Sequence, residues 1–293
     1  MEISPAVTFT GTIKVEGQYK LTDLYTELVD TDTKQVLVEY QPVEQKPAGD
    51  LPEEVKRPDA PEKIATVEEL FLTGNRILQF YNPTLNAMDY FNEALKRDPS
   101  DIRTNVAIGK IRLRNGEYEL ARNSFSRAIK RLTKDYTRPE DCEALYLEGL
   151  TLKALGLYDE AVDTLYRATW DQAWHAAAYL ELARISCIRG DLQRALNEIN
   201  EPLATNARNN SAMALKAGIL RKLGRPEEAL AVISSLAKTD PLDFRTGNEL
   251  YLIAKAAGKQ SDSDRLLKEL NRKMRDFDQN YLELAVGYMN YLS

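Results

Sequence analysis

A chain of 293 residues, 43% hydrophobic and 29% charged, can bury a full core either as one long array or as two domains. Its 45 Asp and Glu outweigh 39 Lys and Arg for a net charge of −6, which argues against a general nucleic-acid binder. A single histidine, His175, leaves little for a metal centre or a Ser-His-Asp scheme, and Cys142 and Cys187 have the spacing of free thiols in a reducing compartment.

No apolar run approaches the roughly 20 residues of a membrane span, and MEISPAVTFTG carries neither a basic start nor an apolar signal core, so a cytoplasmic protein is expected. Val7 to Val15 alternates apolar and polar residues as a half-buried strand does. Tyr25 to Val29 and Gln35 to Tyr40 predict two more strands, joined by the turn-rich Asp30 to Lys34. Three short strands make a poor domain alone, so residues 1–40 are expected to finish a larger β-domain outside this sequence. Residues 41–65 form an acidic linker whose Pro42, Pro47, Pro52, Pro58 and Pro61 favour extended, polyproline-like chain.

From Thr66 onward a repeat takes over, and residues 66–293 are read as one helical array. A small residue recurs at Ala87, Ala121, Ala161, Ala195, Ala229 and Ser263, with spacings of 34, 40, 34, 34 and 34. The one wide spacing places an inserted loop around Leu132 to Asp141. Within the second unit, Gly109, Gly116, Tyr118, Ala121, Phe125 and Ala128 fall at positions 8, 15, 17, 20, 24 and 27, counting from Ile102. This register resembles the tetratricopeptide repeat (TPR), a 34-residue helix-turn-helix unit. The resemblance implies a mainly α fold, a right-handed α-α superhelix of six units preceded by the short β segment. Tyr281, Leu284, Ala285 and Tyr288 match positions 4, 7, 8 and 11 and predict the first helix of a seventh unit. Apolar residues on both faces of that helix, where a solenoid ends in a polar cap, suggest a fragment of a longer protein.

Longer strings carry a second resemblance: ELFLTGNRILQFYNPTLNAMDYFNEALKRDPSD from Glu69, YRATWDQAWHAAAYLELA from Tyr166 and LGRPEEALAVISSLAKTDPLDF from Leu223. With the strands before them they resemble large bacterial proteins that join a β-sandwich region of unknown function to a TPR array. That resemblance implies a support module for a carbohydrate-active or sugar-binding β-domain, and it carries no catalytic residue onto these positions.

No GxxxxGK[ST] or GxGxxG phosphate cradle is present, and no enzyme activity, cofactor or metal is expected. In a TPR array the first helix of each unit lines the concave face, and by resemblance positions 2, 5, 9, 12 and 13 point into it. In units two to six, nine of these 25 positions are Lys or Arg, where 39 in 293 would place about three. The candidate groove residues are Arg103, Lys110, Arg114, Tyr146, Lys153, Arg184, Arg221, Lys222, Arg245 and Lys255. Such a face favours an anionic partner by charge steering and bidentate arginine contacts. The expected function is a non-catalytic protein-interaction scaffold that binds an acidic extended segment. That segment would come from a partner protein, from the missing β-domain or from the chain's own linker; no nucleic acid and no membrane are expected as partners. Trp170 and Trp174, four residues apart and so expected on one helical face, form either an aromatic platform for a ligand or a staple between units three and four.

Overall fold

The computed structural model describes residues 11–44, 49 and 56–291 and divides into two units, 1–57 and 58–293. In the first, a 3-10 turn at Leu21–Asp23 precedes β1 (Thr26–Val29) and β2 (Val36–Tyr40), an antiparallel pair in the register Thr26↔Tyr40 and Leu28↔Val38. The Asp30 carboxylate closes the hairpin by accepting from the backbone N–H of Asp32 (2.9 Å) and Thr33 (2.7 Å). Leu37, Val38 and Tyr40 are exposed among the described residues. Of the third expected strand, residues 7–10 lie outside the described residues and 11–15 form no strand. Much of the proline-rich linker, 45–48 and 50–55, also lies outside them.

The second unit is a stack of helix pairs. Unit one comprises α1 (Val67–Gln79) and α2 (Ala87–Arg97), unit two α3 (Ile102–Arg114) and α4 (Tyr118–Leu132), and unit three α5 (Glu143–Ala154) and α6 (Tyr158–Ala168). Unit four comprises α7 (Gln172–Ile188) and α8 (Leu192–Thr205), unit five α9 (Asn210–Lys222) and α10 (Pro226–Thr239), and unit six α11 (Phe244–Ala256) and α12 (Gln260–Met274). Side chains begin these helices: Asp101 accepts from Thr104 N–H and Asp243 from Thr246 N–H, each at 2.8 Å, filling orphan donors of the first turn. The turn inside a unit is set by Gly116, Gly156, Gly190, Gly224 and Gly258, all with φ between 70° and 77°, the left-handed conformation that a side chain resists.

Packing follows the repeat register. Position 20 is Ala87, Ala121, Ala161, Ala195, Ala229 or Ser263, each at most 3% exposed, which lets paired helices approach closely. On the facing helix Gly109 leaves room for the Phe125 ring: a methyl there would stand 2.4 Å from Cε1. Gly149 does the same for Leu165. These contacts build three buried clusters along the array, around Phe91, Leu165 and Ile199. The inserted loop lies between α4 and α5, as the 40-residue spacing requires.

Two features depart from the sequence-based reading. Helix α13 (Asp278–Tyr291) does not start a seventh unit. Arg275 (φ 54°) and Asp276 (φ 52°) are both left-handed and turn the chain back, so α13 packs on α7 and α11 instead of lying along α12. Trp170 and Trp174 do not share a helix face either, because Asp171 between them caps α7, accepting from Ala173 N–H at 2.9 Å. Trp170 is left in the preceding turn, 44% exposed.

Candidate functional site: the concave groove

The first helices of successive units stand side by side and bring the candidate cations together, but most of them meet carboxylates. Arg103 pairs with Glu68 and lies 4.8 Å over the Phe71 ring, and Lys110 reaches Glu143 at 2.5 Å. Lys153 of unit three and Arg184 of unit four share Glu181, which is 4% exposed. Arg221 of unit five grips Glu249 of unit six with two bonds, Nε to Oε2 at 2.8 Å and Nη2 to Oε1 at 3.1 Å. Arg245 holds Asp243 and the Ser211 hydroxyl at 3.2 Å, and Lys255 lies 5.5 Å over the Tyr251 ring. Lys222 lines a cleft with Cys187, Ile188 and Met289. Arg114 has no ion-pair or hydrogen-bond partner among the described residues.

The concave face beyond unit two is therefore closer to neutral than the groove positions suggest. Glu181 and Glu249 occupy position 6 of units four and six, outside the set expected to face the groove, and so escape a count restricted to that set. A signal for them exists in the sequence: Lys153 precedes Glu181, and Arg221 precedes Glu249, by the same 28 residues. The spacing carries a position-12 cation to a position-6 carboxylate across one junction.

Onto these two ion clusters α13 lays its tyrosines. The Tyr288 hydroxyl donates to Glu249 Oε1 at 2.7 Å, so the carboxylate holds Arg221 on one side and a phenol on the other. The Tyr291 ring covers the Lys153–Glu181–Arg184 cluster, with Lys153 Nζ at 5.4 Å and Arg184 Cζ at 4.9 Å from its centroid. Tyr281, Leu284, Tyr288 and Tyr291 form the half-buried stripe of α13, while Leu282, Val286 and Met289 remain exposed.

Tyr146, another groove candidate, stacks on Trp174 with ring centroids 4.9 Å apart, and the indole N–H donates to Asp141 at 3.2 Å. Trp174 thus ties α7 to α5 and the inserted loop. The described end of the linker is held by α2: the Tyr90 hydroxyl donates to the Asp59 carbonyl at 3.1 Å, and Arg97 Nη1 to the Ile64 carbonyl at 2.6 Å. Cys142 and Cys187 are buried free thiols. His175 faces the Thr169 carbonyl through Nδ1 at 3.0 Å, and among the described residues no group of His, Cys, Asp and Glu could hold a metal ion.

Burial, with the charge of Glu249 and the hydrogen bond to it adding, pushes the Tyr288 phenol far above its ordinary 10.0. Burial also lifts the Cys187 thiol from 9.0 to about 12. An acid whose pKa rises on folding gives stability that is whole below its unfolded value and drains away as pH climbs through the folded one. The unfolding free energy is therefore expected to fall as pH rises above 9 to 10, and Tyr288→Phe to remove part of that slope. Denaturant titrations of both chains across this range test it; identical slopes would remove Tyr288 as a contributor.

No helix among the described residues is long and apolar enough to cross a membrane. The tetratricopeptide repeat family model matches residues 106–177 and 180–244. Among solved structures, that described as "Functional Characterization of Pseudomonas Aeruginosa pilF" is 20% identical, covers 75% of this chain and 96% of its own, and superposes with a TM-score of 0.59. PilW, a type IV pilus biogenesis factor, is 16% identical, with 74% and 98% covered and a TM-score of 0.61. YrrB, titled a TPR protein with an unusual peptide-binding site, is 16% identical, with 66% and 96% covered and a TM-score of 0.52. At these identities the structures speak for the fold alone, a helical-repeat array. Residues 106–177 and 180–244 of the chain are tetratricopeptide repeats.

Proposed function

We propose that this chain is a protein-interaction scaffold whose open groove, in units one to three, binds an acidic extended segment of a partner protein. TPR arrays present a concave surface for extended ligands, and peptide binding is the property named for YrrB. The observation that carries the reading is a cleft of about 400 Å³ lined by Phe71, Asn75, Arg103, Lys110 and Arg114 among others. It combines an apolar floor with three cations and two carboxylates, Asp141 and Glu143. Arg103 and Lys110 are paired with Glu68 and Glu143, and Arg114 has no ion-pair or hydrogen-bond partner among the described residues, so it is the cation open to a ligand's carboxylate. Units four to six support the proposal less, since Arg184 and Arg221 are already engaged with buried carboxylates.

Exposed charges contribute roughly 0–1 kcal/mol each, so affinity would come from several contacts together with the Phe71 surface. Selection from a random peptide library on this chain is expected to enrich acidic sequences. Lys110→Ala with Arg114→Ala should weaken the selected peptides roughly tenfold, and added salt should do the same as the screening length falls from about 10 Å at 0.1 M towards 3 Å at 1 M. Enrichment without acidic bias, or affinity indifferent to both changes, would overturn the proposal. The alternative, support of a sugar-binding β-region outside this sequence, draws on the exposed Leu37, Val38 and Tyr40 of the hairpin and has no site residue in the array.

A further inference from the structure

We propose that the concave face of units three to six is a second, separate binding surface, one that takes an amphipathic helix carrying two tyrosines three residues apart, and that α13 is its resident ligand. The inference rests on the reading of the array as an interaction scaffold but concerns different residues from the open cleft.

Three observations carry it. First, α13 leaves the path of the stack at Arg275 and Asp276 and seats its stripe of Tyr281, Leu284, Tyr288 and Tyr291 against α7 and α11, as an amphipathic helix does in a groove. Second, the groove is built to receive that stripe. Glu249 and Glu181 are almost fully buried; Glu181 is fixed by Lys153 and Arg184, and Glu249 by both nitrogens of the Arg221 fork. A carboxylate offers about four acceptor positions; Arg221 fills two at Glu249, and the Tyr288 hydroxyl takes another. At Glu181 the Tyr291 ring offers its face to both cations, Lys153 and Arg184. Third, the two tyrosines are one helical turn apart, the separation that lets neighbouring side chains of one face reach both clusters. The hydroxyl is the specific element: phenylalanine at position 288 would leave a buried carboxylate lone pair without its donor.

The partner predicted from this chemistry is a helix from another protein with the same pair of tyrosines and an apolar stripe, which must compete with α13. Intramolecular docking presents α13 at an effective concentration in the millimolar range, and apparent affinity falls by the fraction of time the groove is open.

The test uses the full chain and a labelled synthetic peptide with the sequence of residues 278–291. The chain carrying Tyr288→Ala and Tyr291→Ala is expected to bind the peptide roughly 100-fold more tightly than the unaltered chain, corresponding to a groove open about 1% of the time. A peptide with both tyrosines replaced by alanine should not bind, and one with Tyr288→Phe should bind more weakly than the parent peptide. Adding Lys110→Ala and Arg114→Ala to the altered chain should leave this binding unchanged while it weakens acidic peptides, which separates the two surfaces. No gain of peptide binding in the altered chain, or equal binding of the alanine peptide, overturns the inference. Hydrogen exchange on the unaltered chain is independent of any substitution: α13 amides should exchange more slowly than those of the free peptide, and exchange at the free-peptide rate also overturns it.

Discussion

Replacing Glu249 by alanine is expected to lower the unfolding free energy by about 3–5 kcal/mol, the size of effect seen when a buried ion pair loses one partner. Glu249 is 1% exposed, and the Arg221 side chain that grips it is 18% exposed, so the substitution leaves a guanidinium in the interior with no counter-charge. Tyr288 loses its acceptor in the same stroke. Replacing the pair together, Arg221→Met with Glu249→Leu, removes both the charge and its desolvation and should recover most of the loss. Because a repeat array is stabilised by nearest neighbours, the damage should localise to units five and six and to α13. Denaturant unfolding combined with hydrogen-exchange mass spectrometry tests both parts. A loss under about 1 kcal/mol would mean that the pair behaves as a surface bridge in water.

The same geometry changes what charge reversal can report. Arg184→Glu with Arg221→Glu is the natural test of a basic groove read from sequence. In the structure it would set glutamate against Glu181 and against Glu249, so that like charges meet in buried sites. Its first consequence is local unfolding of units four to six, and lost binding in that variant would say nothing about the groove. Lys110 and Arg114, which lie at the open end and are not part of either buried cluster, are the informative positions.

What the sequence made legible was whatever repeats or is local. The small residue at position 20 recurs in all six units, the left-handed glycine at position 15 in units two to six and a glycine at position 8 in units two and three, so a fixed period reveals them. The hairpin was legible because it is local: Tyr25 to Val29 and Gln35 to Tyr40, short runs rich in β-branched and aromatic residues, flank an Asp-Thr-Asp-Thr turn that hydrogen-bonds itself. The route of α13 was not legible. A stripe at Tyr281, Leu284, Tyr288 and Tyr291 satisfies the first helix of another unit and a helix laid in a groove equally well. The reversal happens at Arg275 and Asp276, neither of them the glycine that usually marks a left-handed turn. The aromatic pair failed for another reason. Spacing alone put Trp170 and Trp174 on one face, whereas Asp171 is a helix cap whose preference for that role was there to be read.

The recurrent contact between positions 8 and 24 makes the second large effect calculable from geometry. Phe125 is fully buried with its ring against Gly109, so Phe125→Ala removes a large side chain that the stack cannot fully close over and should cost about 3–5 kcal/mol. Gly109→Ala in the native background pushes a methyl to 2.4 Å from a fully buried ring and should cost about 1–3 kcal/mol as overpacking. The two changes should not add. With Phe125→Ala in place the space beside Gly109 is empty, and Gly109→Ala fills part of the void. It also gains about 1 kcal/mol of helix propensity within α3, so its sign reverses to stabilising. A double-mutant cycle should therefore show a coupling of about 2 kcal/mol or more. Costs that add within about 0.5 kcal/mol would mean that the ring and the glycine are energetically independent. Gly149 supplies the comparison, because its methyl would meet Leu165, whose branched end can rotate aside where an aromatic ring cannot. Gly149→Ala should thus cost less than Gly109→Ala, and the difference between the two measures how far the shape of the residue at position 24, beyond its hydrophobicity, dictates glycine at position 8.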